Sequence, residues 1–170
     1  MMSWPKEGTP EFEAFYGDPD GDNNGDPDRA WEDANLVRVK ARWRMVASWD
    51  TNLAITSIRV HWRCAESLSR VLDAIALRFS TQKAIEEARM HLFGGGYNFR
   101  LKRNGNSLST HSYGCAVDFD PARNGLGKPW KANTGMMDLA VVEAFKAEGW
   151  VWGGDWSTAD AMHFQAARTR

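Results

Sequence analysis

Ser109-Thr110-His111-Ser112-Tyr113-Gly114-Cys115-Ala116-Val117-Asp118 is the stretch on which the reading of this chain turns. Gly114 lets the backbone turn after His111, because glycine enters left-handed conformations without steric cost. Beyond it, Cys115-Ala-Val-Asp-Phe119 reads as a short apolar strand. Side chains alternate along a strand, so Ala116 and Asp118 share one face while Val117 and Phe119 point to a core. Further on, Trp156-Ser-Thr-Ala-Asp160-Ala-Met162-His163-Phe164 brings a second histidine and a second aspartate. Imidazole and carboxylate suit Zn²⁺, and three protein ligands leave one tetrahedral position open, as in catalytic sites. His111, Asp118 and His163 are thus candidate metal ligands. Asp160, three residues before His163, is a candidate general base. A plainer reading stands beside this one. His111 caps a turn, Asp118 pairs with an arginine, and His163 is a hydrogen-bonded core histidine.

Outward from these segments, the pattern is that of short strands and helices. Residues 36–46 and 53–63 alternate apolar and polar in part and are expected to be strands. From Ala65 to Phe79, Leu68, Val71, Leu72, Ile75, Ala76 and Phe79 recur at helical spacing. A second helix is expected from Thr81 to about His91, stopped by Gly94-Gly-Gly96. Residues 97–101 and 115–119 are then expected strands, 137–148 a helix ending at Gly149, and 150–153 and 162–166 closing strands. The elements do not alternate as βαβ units, so the class is α+β with a small antiparallel sheet and flanking helices. Residues 1–16 form an arm whose Trp4, Phe12, Phe15 and Tyr16 are expected to pin it to the body, and residues 17–28 a polar loop. Arm and loop occupy positions 1–35 of a single expected domain of 170 residues.

Bulk properties narrow the function. Hydrophobic residues make up 43% of the chain, enough for an ordinary core, and the net charge is −1. That balance argues against a nucleic-acid partner, though Arg100, Lys102 and Arg103 form a local basic patch. No apolar stretch approaches the ~18 residues a membrane-spanning helix needs. The first residues lack a basic segment followed by an apolar run, so no signal peptide is expected and synthesis is expected to be cytoplasmic. Cys64 and Cys115 form no disulfide framework and read as free thiols of a reducing compartment.

The pattern S-x-H-x-x-G-x-A-x-D followed by W-x-x-x-D-x-M-H-F resembles the D-alanyl-D-alanine carboxypeptidase and L-alanyl-D-glutamate endopeptidase family of zinc metallopeptidases. Many phage endolysins belong to that family, and its fold is shared with the hedgehog signalling domain. The resemblance is best over residues 93–166. It implies one catalytic zinc on His111, Asp118 and His163, with Asp160 as base where many relatives have Glu. An arginine before the first ligand binds substrate or polarises the scissile carbonyl. Gly-Tyr-Asn-Phe-Arg100 is the favoured match and Arg103 the rival. Ser109 resembles a substrate-contacting serine and Trp156 an aromatic wall of the groove. The implied activity is hydrolysis of the peptidoglycan stem peptide by a metal-activated water, in a monomer that reaches the cell wall after release at host lysis. The alternatives are a D-Ala-D-Ala carboxypeptidase or dipeptidase, and a non-catalytic zinc-containing binding domain.

Other residues invite ideas of their own. Cys115, close to His111, reads as a buried structural thiol rather than a nucleophile. Asp20, Asp22, Asn24 and Gly25 match the start of a calcium loop, but Trp31 stands where the bidentate Glu belongs and Glu32 is one place late. Ca²⁺ there is weighed against a plain solvated loop. His61 and His91 read as structural. Asp155 is either a partner orienting a zinc histidine or a turn former, and Asp120 shapes the turn into Pro121.

Overall fold

The computed structural model describes residues 3–103 and 105–169. The arm holds a helix the sequence reading missed, α1 (Pro10–Tyr16), with Thr9 accepting from the Phe12 N–H and Pro10 in its first turn. Helix α2 (Arg29–Asn35) follows the polar loop, its N-terminus capped by Asp28. Strands β1 (Leu36–Ala47) and β2 (Asp50–His61) form an antiparallel hairpin with a register slip between Lys40 and Met45. Helix α3 (Trp62–Phe79) buries Leu68, Val71, Leu72 and Ile75 at the expected spacing.

The next segment departs from expectation. Helix α4 is short, Gln82–Glu87, and Leu92–Gly95 is a strand, β3. The glycines expected to stop a helix serve the sheet instead. A Cβ on Gly94 would lie 3.0 Å from both the Cβ and the carbonyl oxygen of Asp118 on the neighbouring strand. Residues 97–101 are not a strand. Leu101 alone bridges Leu108, and the Tyr97 and Asn98 N–H groups go to the carbonyls of Arg59 and His111. Strand β4 (Ala116–Phe119), helix α5 (Pro121–Asn124), helix α6 (Leu139–Ala147) and strands β5 (Val151–Trp152) and β6 (His163–Gln165) complete the chain.

The class is α+β, as expected. The sheet has six strands in the order β2-β1-β3-β4-β6-β5, larger than the small sheet expected and not wholly antiparallel, since β1 and β3 pair in parallel. One apolar core runs through it. Val117 lies beside Phe164 across the β4–β6 ladder, and Phe145 of α6 stacks on Phe164 at 3.9 Å. The arm is pinned as expected: Trp4, Phe12 and Tyr16 are buried, and the Tyr16 hydroxyl donates to the Ala166 carbonyl at 2.6 Å.

His61 caps α3. Its Nδ1 accepts from the Arg63 N–H at 3.1 Å, and its Nε2 donates to the Tyr16 carbonyl at 3.1 Å. Both ring nitrogens are satisfied only in the neutral form, because a proton on Nδ1 would face another N–H. Burial, opposed by the Tyr16 carbonyl and helped by the Arg63 charge, pulls its pKa from 6.5 to about 4. The folded state therefore takes up this proton later than the unfolded chain does. The stability His61 supplies is full above pH 6.5 and is lost as pH falls through 4. Denaturant titrations should show roughly 3 kcal/mol of acid-sensitive stability across that window, and a shallower pH slope in His61→Gln.

Candidate metal centre

Three elements bring the candidate ligands together. The β4–β6 ladder sets Asp118 opposite His163 and Ala116 opposite Gln165, so alternation puts these side chains on one face. His111 comes from a 3-10 turn, Thr110–Tyr113, in which Ser109 Oγ accepts from the His111 N–H at 3.3 Å. Gly114 ends that turn at φ 66°. A Cβ there would lie 2.7 Å from both the His61 nitrogen and Leu36 Cδ2, so only glycine lets the turn close against β2.

Hydrogen-bond partners fix the protonation of both imidazoles. His111 Nδ1 stands 2.7 Å from the Gly96 carbonyl, which only accepts, so Nδ1 carries the proton and Nε2 keeps its lone pair. Gln165 donates from its amide nitrogen to the Ala167 carbonyl at 3.1 Å, which turns Oε1 toward His163 Nε2 at 3.0 Å. The Thr110 hydroxyl donates to the same oxygen at 3.2 Å. His163 therefore donates from Nε2 and presents a bare Nδ1. The two bare nitrogens are 3.2 Å apart. Asp118 sets one oxygen 3.2 Å from His111 Nε2 and the other 2.9 Å from His163 Nδ1.

Three lone-pair donors facing one another repel unless a cation lies among them. Ligands about 2.0–2.1 Å from zinc at tetrahedral angles stand roughly 3.3 Å apart, so the donor set and its spacing fit that ion. Among the described residues this is the one group of three metal-type side chains whose ligand atoms converge within 4.8 Å. Without a metal the same electrostatics favour a proton. Burial acts to raise the Asp118 carboxyl, but His111 and His163 outweigh it and hold it well below the usual carboxylate range. Burial acts against a charge on His163, yet Asp118 outweighs it and raises the imidazole.

The candidate ligands open onto a cleft of about 310 Å³. Seven of the eight candidate residues line it: Arg100, Arg103, Ser109, Asp118, Trp156, Asp160 and His163. His111, buried, meets them at the ligand cluster. Asp160 is held by its N–H to the Gly153 carbonyl at 2.9 Å and by its own carbonyl, which accepts from the His163 N–H at 3.0 Å. Its Oδ1 is buried without a protein partner. Burial, opposed by His163 and reinforced by the Asp118 charge, raises its carboxyl. The Trp156 ring lies 5.3 Å from His163. The Arg100 backbone is clamped to the turn carrying His111, since Ser112 Oγ accepts from its N–H at 2.9 Å and donates to its carbonyl at 2.8 Å. Arg103 is exposed, and its charge acts to lower Asp160.

Other expectations are corrected or filled in. Asp155 orients no histidine, because it is exposed and pairs with Lys146 at 2.6 Å. The orienting partners are Gln165 and the Gly96 carbonyl. Gln165 was legible, lying two residues after His163 on the same strand face. Gln165→Leu should weaken zinc binding about 10–100-fold in a competition titration while the fold is kept. The carboxylates of loop 17–28 accept local backbone N–H groups, as in Asp20 N–H to Asp18 and Asn24 N–H to Asp22. Cys64 and Cys115 are buried and unpaired with each other, and burial pushes the Cys64 thiol to about 12 and the Cys115 thiol well above its usual value. Asp120 does lead into Pro121, at φ 47°, and is also held by a part-buried two-pronged pair with Arg89 at 2.8 Å.

A buried His-Asp-His group that could hold a metal, a free carboxylate beside it and a cleft above form an arrangement suited to metal-assisted hydrolysis. Residues 102–166 match the family model described as D-alanyl-D-alanine carboxypeptidase, a span that holds all three candidate ligands and Asp160. The match supports a peptidase. No solved structure matches the chain.

Proposed function

We propose that the chain is a zinc-dependent peptidoglycan hydrolase that cuts the stem peptide, as L-alanyl-D-glutamate endopeptidases do. One observation carries this reading: bare His111 Nε2, bare His163 Nδ1 and the Asp118 carboxylate converge beside the unpartnered Asp160 carboxylate in an open cleft. His111, Asp118 and His163 would hold the zinc, which when bound supplies Lewis acidity and lets a water ionise near neutral pH. Asp160, made more basic by burial, takes a proton from the attacking water and passes it to the leaving amine. Arg100, with its backbone locked to the turn carrying His111, and Arg103, whose charge reaches Asp160, both line the cleft as candidates to hold the developing oxyanion. Ser109 and Trp156 bound the groove. Nothing in this chemistry needs a covalent intermediate.

No helix among the described residues is long and apolar enough to cross a membrane. We place the protein among phage endolysins, made in the cytoplasm and acting as a monomer on the wall after release. The description of the matching family favours a second reading, removal of a terminal D-alanine.

The test is digestion of purified sacculi with and without a chelator, with released ends identified by mass spectrometry. New L-alanine–D-glutamate ends that vanish with chelator are the expected result. Free D-alanine would move the protein to the carboxypeptidase reading with the same metal site. A zinc-loaded protein that opens no wall would leave the binding-domain reading and overturn the catalytic one.

A further inference from the structure

The cleft extends beyond the residues given a role in hydrolysis. Strand β6 leads from His163 to Gln165, both in the cleft wall, and at about 3.3 Å per residue this shifts the wall roughly 7 Å along the strand. Glu7, Lys102 and Thr169 also line the cleft. Glu7 belongs to the arm and is fixed there by the joining of the two chain ends. Its N–H donates to the Arg168 carbonyl at 2.9 Å, the Arg168 N–H donates to the Pro5 carbonyl at 2.9 Å, and Lys6 bridges Arg168 in parallel. The Glu7 side chain is only 12% exposed, and its carboxylate pairs with the ammonium of Lys102. Lys102 is 32% exposed and sits in the turn that the Leu101–Leu108 bridge closes.

A carboxylate so far removed from water is costly without a cation beside it. Its own backbone is tied down, but the cation it uses is carried on a flexible four-carbon stem from a surface turn. The site already shows which group fits: a primary ammonium, with no fork of donors. We propose that Lys102 is a stand-in, and that Glu7 forms a subsite for a substrate residue bearing a free ammonium group, which displaces Lys102 when the peptide binds. Glu7 is thus a specificity residue that the N-terminal arm contributes to the cleft. This subsite rests on the reading of the cleft as a peptide groove.

The experiment compares two synthetic stem peptides that differ only in a lysine amine, free in one and acetylated in the other, with the zinc-loaded full chain. Wild type should show a KM roughly tenfold lower for the free amine, the size of one charge-assisted contact. Glu7→Gln should bring the KM ratio of the two peptides to near one. Because that change can loosen the arm, Lys102→Ala gives an independent reading. It removes the stand-in and keeps Glu7, so the preference for the free amine should persist or grow. A preference that survives Glu7→Gln, or disappears in Lys102→Ala, overturns the subsite. Should wild type cleave neither peptide, equilibrium binding of both to the zinc-loaded protein decides. A Glu7-dependent preference then upholds the subsite while hydrolysis fails, and equal binding overturns it.

Discussion

Asp118→Ala should abolish hydrolysis and weaken zinc binding by far more than the roughly 10–100-fold that loss of an outer partner costs. The reason lies in how the triad is poised. The two bare imidazole nitrogens are oriented by groups outside the triad, the Gly96 carbonyl and Gln165, and survive the substitution. The negative charge that makes a dication welcome between them does not. Two neutral imidazoles 3.2 Å apart then remain with no anion between them. The loss can be followed without an activity assay. A ligand at a hundred times its Kd stabilises the folded state by about 2.7 kcal/mol, so zinc should raise the melting temperature of wild type and leave that of Asp118→Ala unmoved. Asp118→Asn separates charge from shape, since it keeps the strand packing and one hydrogen-bonding oxygen. If Asp118→Asn binds zinc as wild type does and retains full hydrolysis, the triad is not the metal centre.

Most of this candidate site is legible in the sequence because its residues lie on two regular features with known periods. Asp118 and His163 are on short strands whose apolar neighbours, Val117 and Phe164, mark the core side and so assign the other side to the cleft. Gly114 marked the turn that brings His111 in. What escaped reading was carried by backbone atoms or by tertiary contact. No residue type marks the Gly96 carbonyl that orients His111. The glycines at 94–96 signalled an end to helix, yet Gly94 serves the close approach of β3 to Asp118 and Gly96 the approach to the Arg59 carbonyl of β2. Strand 97–101 was expected from its composition, but its backbone groups are spent individually on Arg59, His111 and Ser112, which shape the cleft instead of extending the sheet. Helix α1 was hidden because its apolar residues, Phe12, Phe15 and Tyr16, fill barely two turns, too short for periodicity to register.

The same contrast explains why Asp160 needs a separate test. The triad is over-determined by the ladder, the 3-10 turn and two orienting partners. Asp160 depends on one tight approach, where a Cβ on Gly153 would stand 2.5 Å from the Asp160 carbonyl oxygen. Backbone packing therefore fixes the main chain, while the carboxylate end carries a buried oxygen with no protein partner. A structural aspartate would have its lone pairs satisfied by backbone or side-chain donors, as Asp118 and Asp120 do. An unpartnered carboxylate in a cleft, raised by burial, is arranged to receive a proton. Asp160→Asn keeps the size and removes the basicity. It should lower kcat by about 10²–10⁴, the range of a positioned proton acceptor, while zinc content and KM stay close to wild type. Asp160→Glu should recover part of that loss, since the longer side chain brings the same group from a slightly different position. Metal analysis, melting temperature and steady-state kinetics on the same preparations separate the outcomes. A kcat that falls only in step with lost zinc would make Asp160 a support of His163 through its backbone turn. A kcat that falls with zinc fully retained assigns it the proton.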